Sequence, residues 1–169
     1  SVFWMINSSF GIALTTFVGQ NFGAGKWERV KKGTGVCLGM AVGTAVCLTA
    51  VLMTAGRFLL GIFTGDAAVV EIGMTMMYNI APFFVMFAFI EIFSGSLRAQ
   101  GYTFVTTVIS VLGVCVFRII WVSLITPGQG LKRIVACYPI SWIVCAALVS
   151  GYYFYKQKRI ISRMEGRNL

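Results

Sequence analysis

Residues Gly19–Gly33 read "GQNFGAGKWERVKKG". Two glycine-spaced turn positions are followed by Lys26, Arg29, Lys31 and Lys32 against one acid, Glu28. Apolar sequence flanks this burst on both sides. A phosphate-binding loop, a nucleic-acid patch and a loop between two membrane spans all concentrate charge in this way. The phosphate loop fails on spacing: GxxxxGK[ST] needs Ser or Thr after the lysine, and Trp27 stands there. The other two are decided by the rest of the chain.

The chain has 169 residues, of which 58% are hydrophobic and 11% charged. A soluble domain carries about 25% charged residues, so a water-facing surface could not be covered here. Mean hydropathy is +0.85. No charge interrupts 34–55, 72–90, 102–117 or 134–155. A helix needs about 20 apolar residues to cross a bilayer, and a helix apolar on all sides belongs in lipid or in a very large core. Lipid is therefore the expected solvent. The net charge of +9 would suggest nucleic acid in a soluble protein, but these charges sit at the ends of apolar runs. No nucleic-acid partner is expected.

Five spans are expected, at about 2–19, 34–55, 72–97, 102–125 and 131–155, with a basic tail at 156–169. The fold class is all-α integral membrane. In the first span Asn7, Gly11, Thr15 and Gly19 recur every four residues, which puts them on one face. That small, polar face should turn towards protein or a cavity. In the second, Gly35, Gly39 and Gly43 form a doubled GxxxG pattern, which permits close helix approach. The apolar stretch Phe58–Phe63 is too short to cross and is expected along the interface. "RAQG" (98–101) and "TPGQG" (126–130) read as tight connections.

With five spans, Lys26, Arg29, Lys31, Lys32, Arg98, Lys156, Lys158, Arg159, Arg163 and Arg167 fall on one side. Arg57, Lys132 and Arg133 fall on the other. Ten against three is a strong positive-inside bias. The Gly19–Gly33 loop, the "RAQG" turn and the C-terminus are thus expected in the cytoplasm, with the protein in the plasma membrane. Tyr152, Tyr153, Phe154 and Tyr155 beside the tail suggest an interfacial aromatic belt.

The chemistry available is limited. There is no histidine, no acid pair and no nucleophile–base couple, so neither an enzyme nor a metal site is expected. The five cysteines all lie in apolar runs without a CxxC pair, and they read as small buried hydrophobes. Two ionisable residues fall within spans. Glu91 lies roughly 10 Å from its span's midpoint at 1.5 Å per residue. A charge at that depth is costly and marks a pathway, a partner or a coupling site. Arg98, seven residues on, is the structural alternative as its partner. Arg118 lies towards the opposite side, roughly 16 Å from Glu91 in height. Snorkelling, a backbone hydrogen bond, or pairing with Glu71 or Asp66 would satisfy it. Pro82, beside Tyr78 and Asn79, and Pro139 are hinge candidates, since proline removes a helix hydrogen bond. The chain begins with Ser1 and reads as a piece of a longer protein.

Three stretches carry a family resemblance. "VGQNFGAGKWERVKKG" (18–33) resembles the cytoplasmic loop of the multidrug and toxic compound extrusion (MATE) transporters. "FSGSLRAQGYTFVTTVIS" (93–110) resembles their loop between the tenth and eleventh helices. "FRIIWVSLITPGQGLKRI" (117–134) with "YPISWIV" (138–144) is similar to their last two helices. The loop motif would then comprise Gln20, Asn21, Gly23, Gly25, Arg98 and Gly101. The resemblance implies helices eight to twelve of a twelve-helix, two-lobe protein, whose first lobe is the missing partner. It implies Na⁺ or H⁺ as coupling ion, with no other cofactor, exchanged for cationic or amphipathic drug-like molecules by rocking alternating access. Glu91, Asn7, Tyr78, Asn79 and Arg118 are the candidates for ion coupling or substrate binding. A lipid-linked glycan flippase of related fold and a non-catalytic membrane anchor subunit are the alternatives.

Overall fold

The structure is a computed structural model that describes residues 2–125 and 131–165. The connection 126–130 and residues 166–169 of the expected tail lie outside the described residues. So do the side chains of Lys132, Arg133 and Arg163. The described chain is helical: α1 (Val2–Gly23), α2 (Trp27–Phe63), α3 (Ala67–Ile80), α4 (Phe84–Ala99), α5 (Thr103–Ser110), α6 (Phe117–Ile125) and α7 (Leu131–Glu165). A 3₁₀ turn at Ala81–Phe83 joins α3 to α4, and a π-helical segment at Val111–Val116 joins α5 to α6.

Two turns at one end of the bundle close in the same way. After α1, Lys26 N–H donates to Asn21 O at 2.8 Å and Gly25 N–H to Phe22 O at 3.0 Å. After α4, Tyr102 N–H donates to Leu97 O at 3.0 Å and Gly101 N–H to Arg98 O at 3.0 Å. This paired pattern ends a helix by a left-handed residue. Gly25 (φ +68°) and Gly101 (φ +90°) occupy that position, where a Cβ would be strained. The glycines of both motifs are thereby explained as helix stops.

At the opposite end α2 turns into α3 through Thr64–Asp66. Asp66 caps α3 by accepting from Ala68 N–H at 2.8 Å, and Arg57 pairs with Glu71. The stretch Phe58–Phe63, expected to lie along the interface, is instead the last part of α2. Leu60 there packs closely on Gly73 of α3.

Helix α4 is the centre of the bundle. Nine of its sixteen residues are buried: Phe87, Ala88, Ile90 and the run Ile92–Leu97. One apolar cluster joins it to α1 and α2 through Leu14, Val18, Trp27, Val30, Ala88 and Ile92. A second joins it to α7 through Phe93, Leu97, Cys145, Ala146, Val149 and Tyr153. Lipid is as apolar as the core, so small residues and close backbone approach hold such helices together. Gly95 provides one such approach, since a Cβ there would stand 3.1 Å from Gly11 O.

Large apolar side chains cover the outside, among them Phe58, Phe63, Phe104, Ile119 and Leu124, as lipid exposure requires. Four helical segments among the described residues are long and apolar enough to cross a membrane: Trp27–Phe63, Ala67–Ala99, Thr103–Leu124 and Ile134–Ile160. The first helix is the exception. It has 22 residues, with Asn7, Ser8, Ser9, Thr15 and Thr16 among them.

Two expectations are corrected by the packing. The face of α2 that meets α1 and α4 is Thr34, Cys37, Ala41 and Ala45. Gly35, Gly39 and Gly43 look outward, with no described atom within 4 Å of a Cβ built on any of them. Cys47 and Cys115 are exposed, whereas Cys37, Cys137 and Cys145 are buried, and all five are free thiols.

Candidate functional site at the crossing of α1 and α4

The polar stripe of α1 meets the carboxylate of α4. Asn7, Gly11 and Thr15 follow one another at helix turns on the face that packs against α4. Gly11 has no side chain, and the carboxyl group of Glu91 fills the space. A Cβ at Gly11 would stand 2.6 Å from Glu91 Oε1 and 2.9 Å from its Cγ. One turn along each helix, Thr15 Oγ1 lies 2.7 Å from Gly11 O and 3.3 Å from Gly95 O. The hydroxyl thus ties the two backbones where they cross.

Glu91 is largely enclosed, its side chain 19% exposed. Its Oε1 accepts from Arg98 Nη2 at 3.2 Å. Seven residues make two helical turns, so both side chains run along the same face to meet. Asn7 is 1% exposed. Its amide donates to Phe3 O at 3.2 Å, while its Oδ1 has no partner among the described residues. The crossing therefore offers one carboxylate, one hydroxyl and one unpaired carbonyl-type oxygen, with Arg98 as the countercharge.

The other candidates are elsewhere. Tyr78 and Asn79 are exposed at the end of α3, and Asn79 Nδ2 donates to Thr75 O of its own helix at 2.7 Å. Arg118 does not pair with Glu71 or Asp66, which are engaged by Arg57 and by the α3 cap. Its Nε donates to Ser141 Oγ at 3.2 Å, and its guanidinium lies 4.2 Å from the ring centroid of Tyr138. A half-buried arginine gains from such stacking, and the contact ties α6 to α7.

Pro82 sits in the break between α3 and α4, where Thr49 Oγ1 of α2 donates to Ala81 O at 2.9 Å. Pro139 is buried inside α7, which continues through it. In the loop motif, Gln20 is exposed at the end of α1 and its carbonyl accepts from Ala24 N–H at 3.1 Å. Asn21 is buried and donates to Phe17 O at 2.8 Å. Gly23 ends α1 in open space.

Two features had no counterpart in the sequence reading. Thr34, Ser96 and Gln100 form a buried polar string across α2 and α4, with both links at 3.1 Å. The spacing of Ser96 and Gln100 in "SGSLRAQG" was a signal for it. The π segment at Val111–Val116 was not legible, although Gly113 within it packs on Cys145 of α7. Such segments occur at functional sites.

Among the described residues no group of three or more His, Cys, Asp and Glu could hold a metal ion.

Comparison with known proteins follows the same lines. A model of the MatE family matches residues 1–123. The probable multidrug resistance protein NorM of Bradyrhizobium diazoefficiens is 28% identical over 167 residues, 95% of this chain and 36% of that protein. The probable multidrug resistance protein YoeA of Bacillus subtilis is 24% identical over 161 residues, 92% of this chain and 34% of that protein. The chain therefore spans about a third of the length of these curated relatives. A structure described as the inward-facing conformation of a multidrug resistance MATE family transporter of the MOP superfamily superposes with a TM-score of 0.81. It is 13% identical, and the match covers 95% of this chain and 39% of that one. The match over residues 1–123, most of the chain, identifies this multi-pass membrane protein as a member of the MatE family of multidrug and toxic compound extrusion transporters.

Proposed function

We propose that this chain supplies helices eight to twelve of a cation-coupled multidrug exporter, with the crossing of α1 and α4 as its coupling region. The single observation behind this reading is the Glu91 carboxylate, largely enclosed and resting on the bare backbone of Gly11. An enclosed carboxylate with one exposed countercharge can exchange that partner for a small cation. Thr15 Oγ1 and Asn7 Oδ1 stand on the same face as further oxygens. Na⁺ or H⁺ taken up there would weaken the Arg98 contact and loosen α1 against α4, the motion that rocking alternating access needs.

The exported molecules would be cationic or amphipathic drugs, held between this lobe and the remainder of the transporter. The lipid bilayer is the solvent of the helices. The protein would sit in the plasma membrane with the basic end, including α7's C-terminal turns, in the cytoplasm. Transport, not catalysis, is the activity. The flippase reading has less support, because the cation it relied on, Arg118, is committed to Ser141 and Tyr138. The anchor reading accounts for the close helix contacts but gives Glu91 no role.

The test is Glu91→Gln in the full-length protein. Drug efflux should fall while membrane abundance holds. Unchanged efflux would remove Glu91 from the mechanism.

A further inference from the structure

At the basic end of the bundle α2 and α7 part, leaving a groove of about 460 Å³. Leu38, Phe93 and Phe154 give it an apolar length. Lys31, Gln157 and Lys158 line it where the helices approach the turns. Gln157 is 6% exposed, and neither its Nε2 nor its Oε1 has a partner among the described residues. A buried amide with both ends unpaired is costly, and it asks for a ligand that can both accept and donate a hydrogen bond.

The charge is equally one-sided. Lys158 is exposed and has no carboxylate partner among the described residues. Lys31 on the facing wall pairs with Glu28 at 2.8 Å, on the surface and within one turn of helix. A pair of that kind is weak, so an anion of higher charge density can compete for the lysine. No acid lines the groove.

We propose that this groove seats an anionic glycerophospholipid whose head group carries hydroxyls. Its phosphate lies between Lys158 and Lys31 and accepts from Gln157 Nε2. A head-group hydroxyl donates to Gln157 Oε1. One acyl chain runs along Leu38, Phe93 and Phe154. Basic pockets between membrane helices near the surface are suited to such head groups. The site does not depend on the export reading, since none of its residues belongs to the α1–α4 crossing.

Native mass spectrometry of the full-length protein in detergent tests it, with phosphatidylglycerol and phosphatidylcholine of matched chains as probes. Phosphatidylglycerol should bind about fivefold more tightly, the ratio expected for one added surface lysine contact. Lys158→Gln should bring that ratio to about one, and Gln157→Leu should weaken binding of both lipids and lower the ratio. Lys32→Gln, on the α1 side of α2, should leave it unchanged. Lys158 is exposed, so its variant keeps the test valid should Gln157→Leu fail to fold. Equal binding of both lipids, or a ratio that survives Lys158→Gln, overturns the proposal. So does displacement of the lipid by soluble glycerol 3-phosphate, which would make this a site for free phosphate. A cross-link from Leu38→Cys to a segment outside this chain would also overturn it, by showing the groove filled with protein.

Discussion

The carboxylate of Glu91 occupies the space that a side chain at residue 11 would need. A Cβ on Gly11 would come within 2.6 Å of Oε1, so the acid on α4 and the glycine on α1 form one fitted pair. Gly11→Ala should therefore impair efflux about as strongly as Glu91→Gln. In a Glu91→Ala background the same change should have little further effect, because the space is then vacant. A double-mutant cycle on efflux measures this coupling, and additive losses would show that the two positions act separately.

Arg98 Nη2 donates to Glu91 Oε1 at 3.2 Å, so on the proposed coupling a cation would have to displace it. Its side chain is 38% exposed, so the pair's contribution to stability is modest. Arg98→Gln should lower thermal stability by no more than about 1 kcal/mol. It should shift the Na⁺ or pH dependence of efflux more than it changes the amount of protein in the membrane. Identical ion dependence in the variant and the parent would mean that the arginine only holds α4 together.

The two helix stops should behave alike. Gly25→Ala and Gly101→Ala each force a Cβ into a left-handed conformation, costing about 1 kcal/mol. Gly23→Ala meets open space and carries no positive φ, so it should be close to neutral. Melting temperatures in detergent, read side by side, distinguish the conformational cost from a general intolerance of the loop.

Arg118 joins α6 to α7 by a directed N–H to Ser141 and by stacking on Tyr138. Lysine keeps the charge but has neither the planar fork nor the Nε donor. Arg118→Lys should thus cost about 1 kcal/mol of stability, and Ser141→Ala should cost less in that background than in the parent, because only its own bond to Tyr138 O at 2.9 Å is then left to lose. A substrate-binding role would appear instead as lost efflux at unchanged melting temperature.

Much of this protein follows from residue order alone. Long uncharged runs require lipid, because a backbone inside hydrocarbon must satisfy its own hydrogen bonds as helix. Asn7, Gly11 and Thr15 share a face by helical periodicity, and the structure turns that face to α4. The glycine motifs "GAGK" and "RAQG" marked turns, and the hydrogen bonds show them to be helix stops. The doubled glycine pattern of α2 was legible as a small surface, but not its partner, and among the described residues none covers it.

What only the tertiary structure decided is which groups meet. Sequence spacing puts Glu91 and Arg98 two turns apart, but the closeness of Gly11 to Glu91 depends on how α1 crosses α4. Arg118 shows the same limit, since its charge could be read and its choice of Ser141 over Glu71 could not. Helical periods dictate each helix's faces, because they are properties of one local geometry. The pairing of faces between helices depends on packing across some eighty residues of chain, where shape and close approach select among many compatible partners.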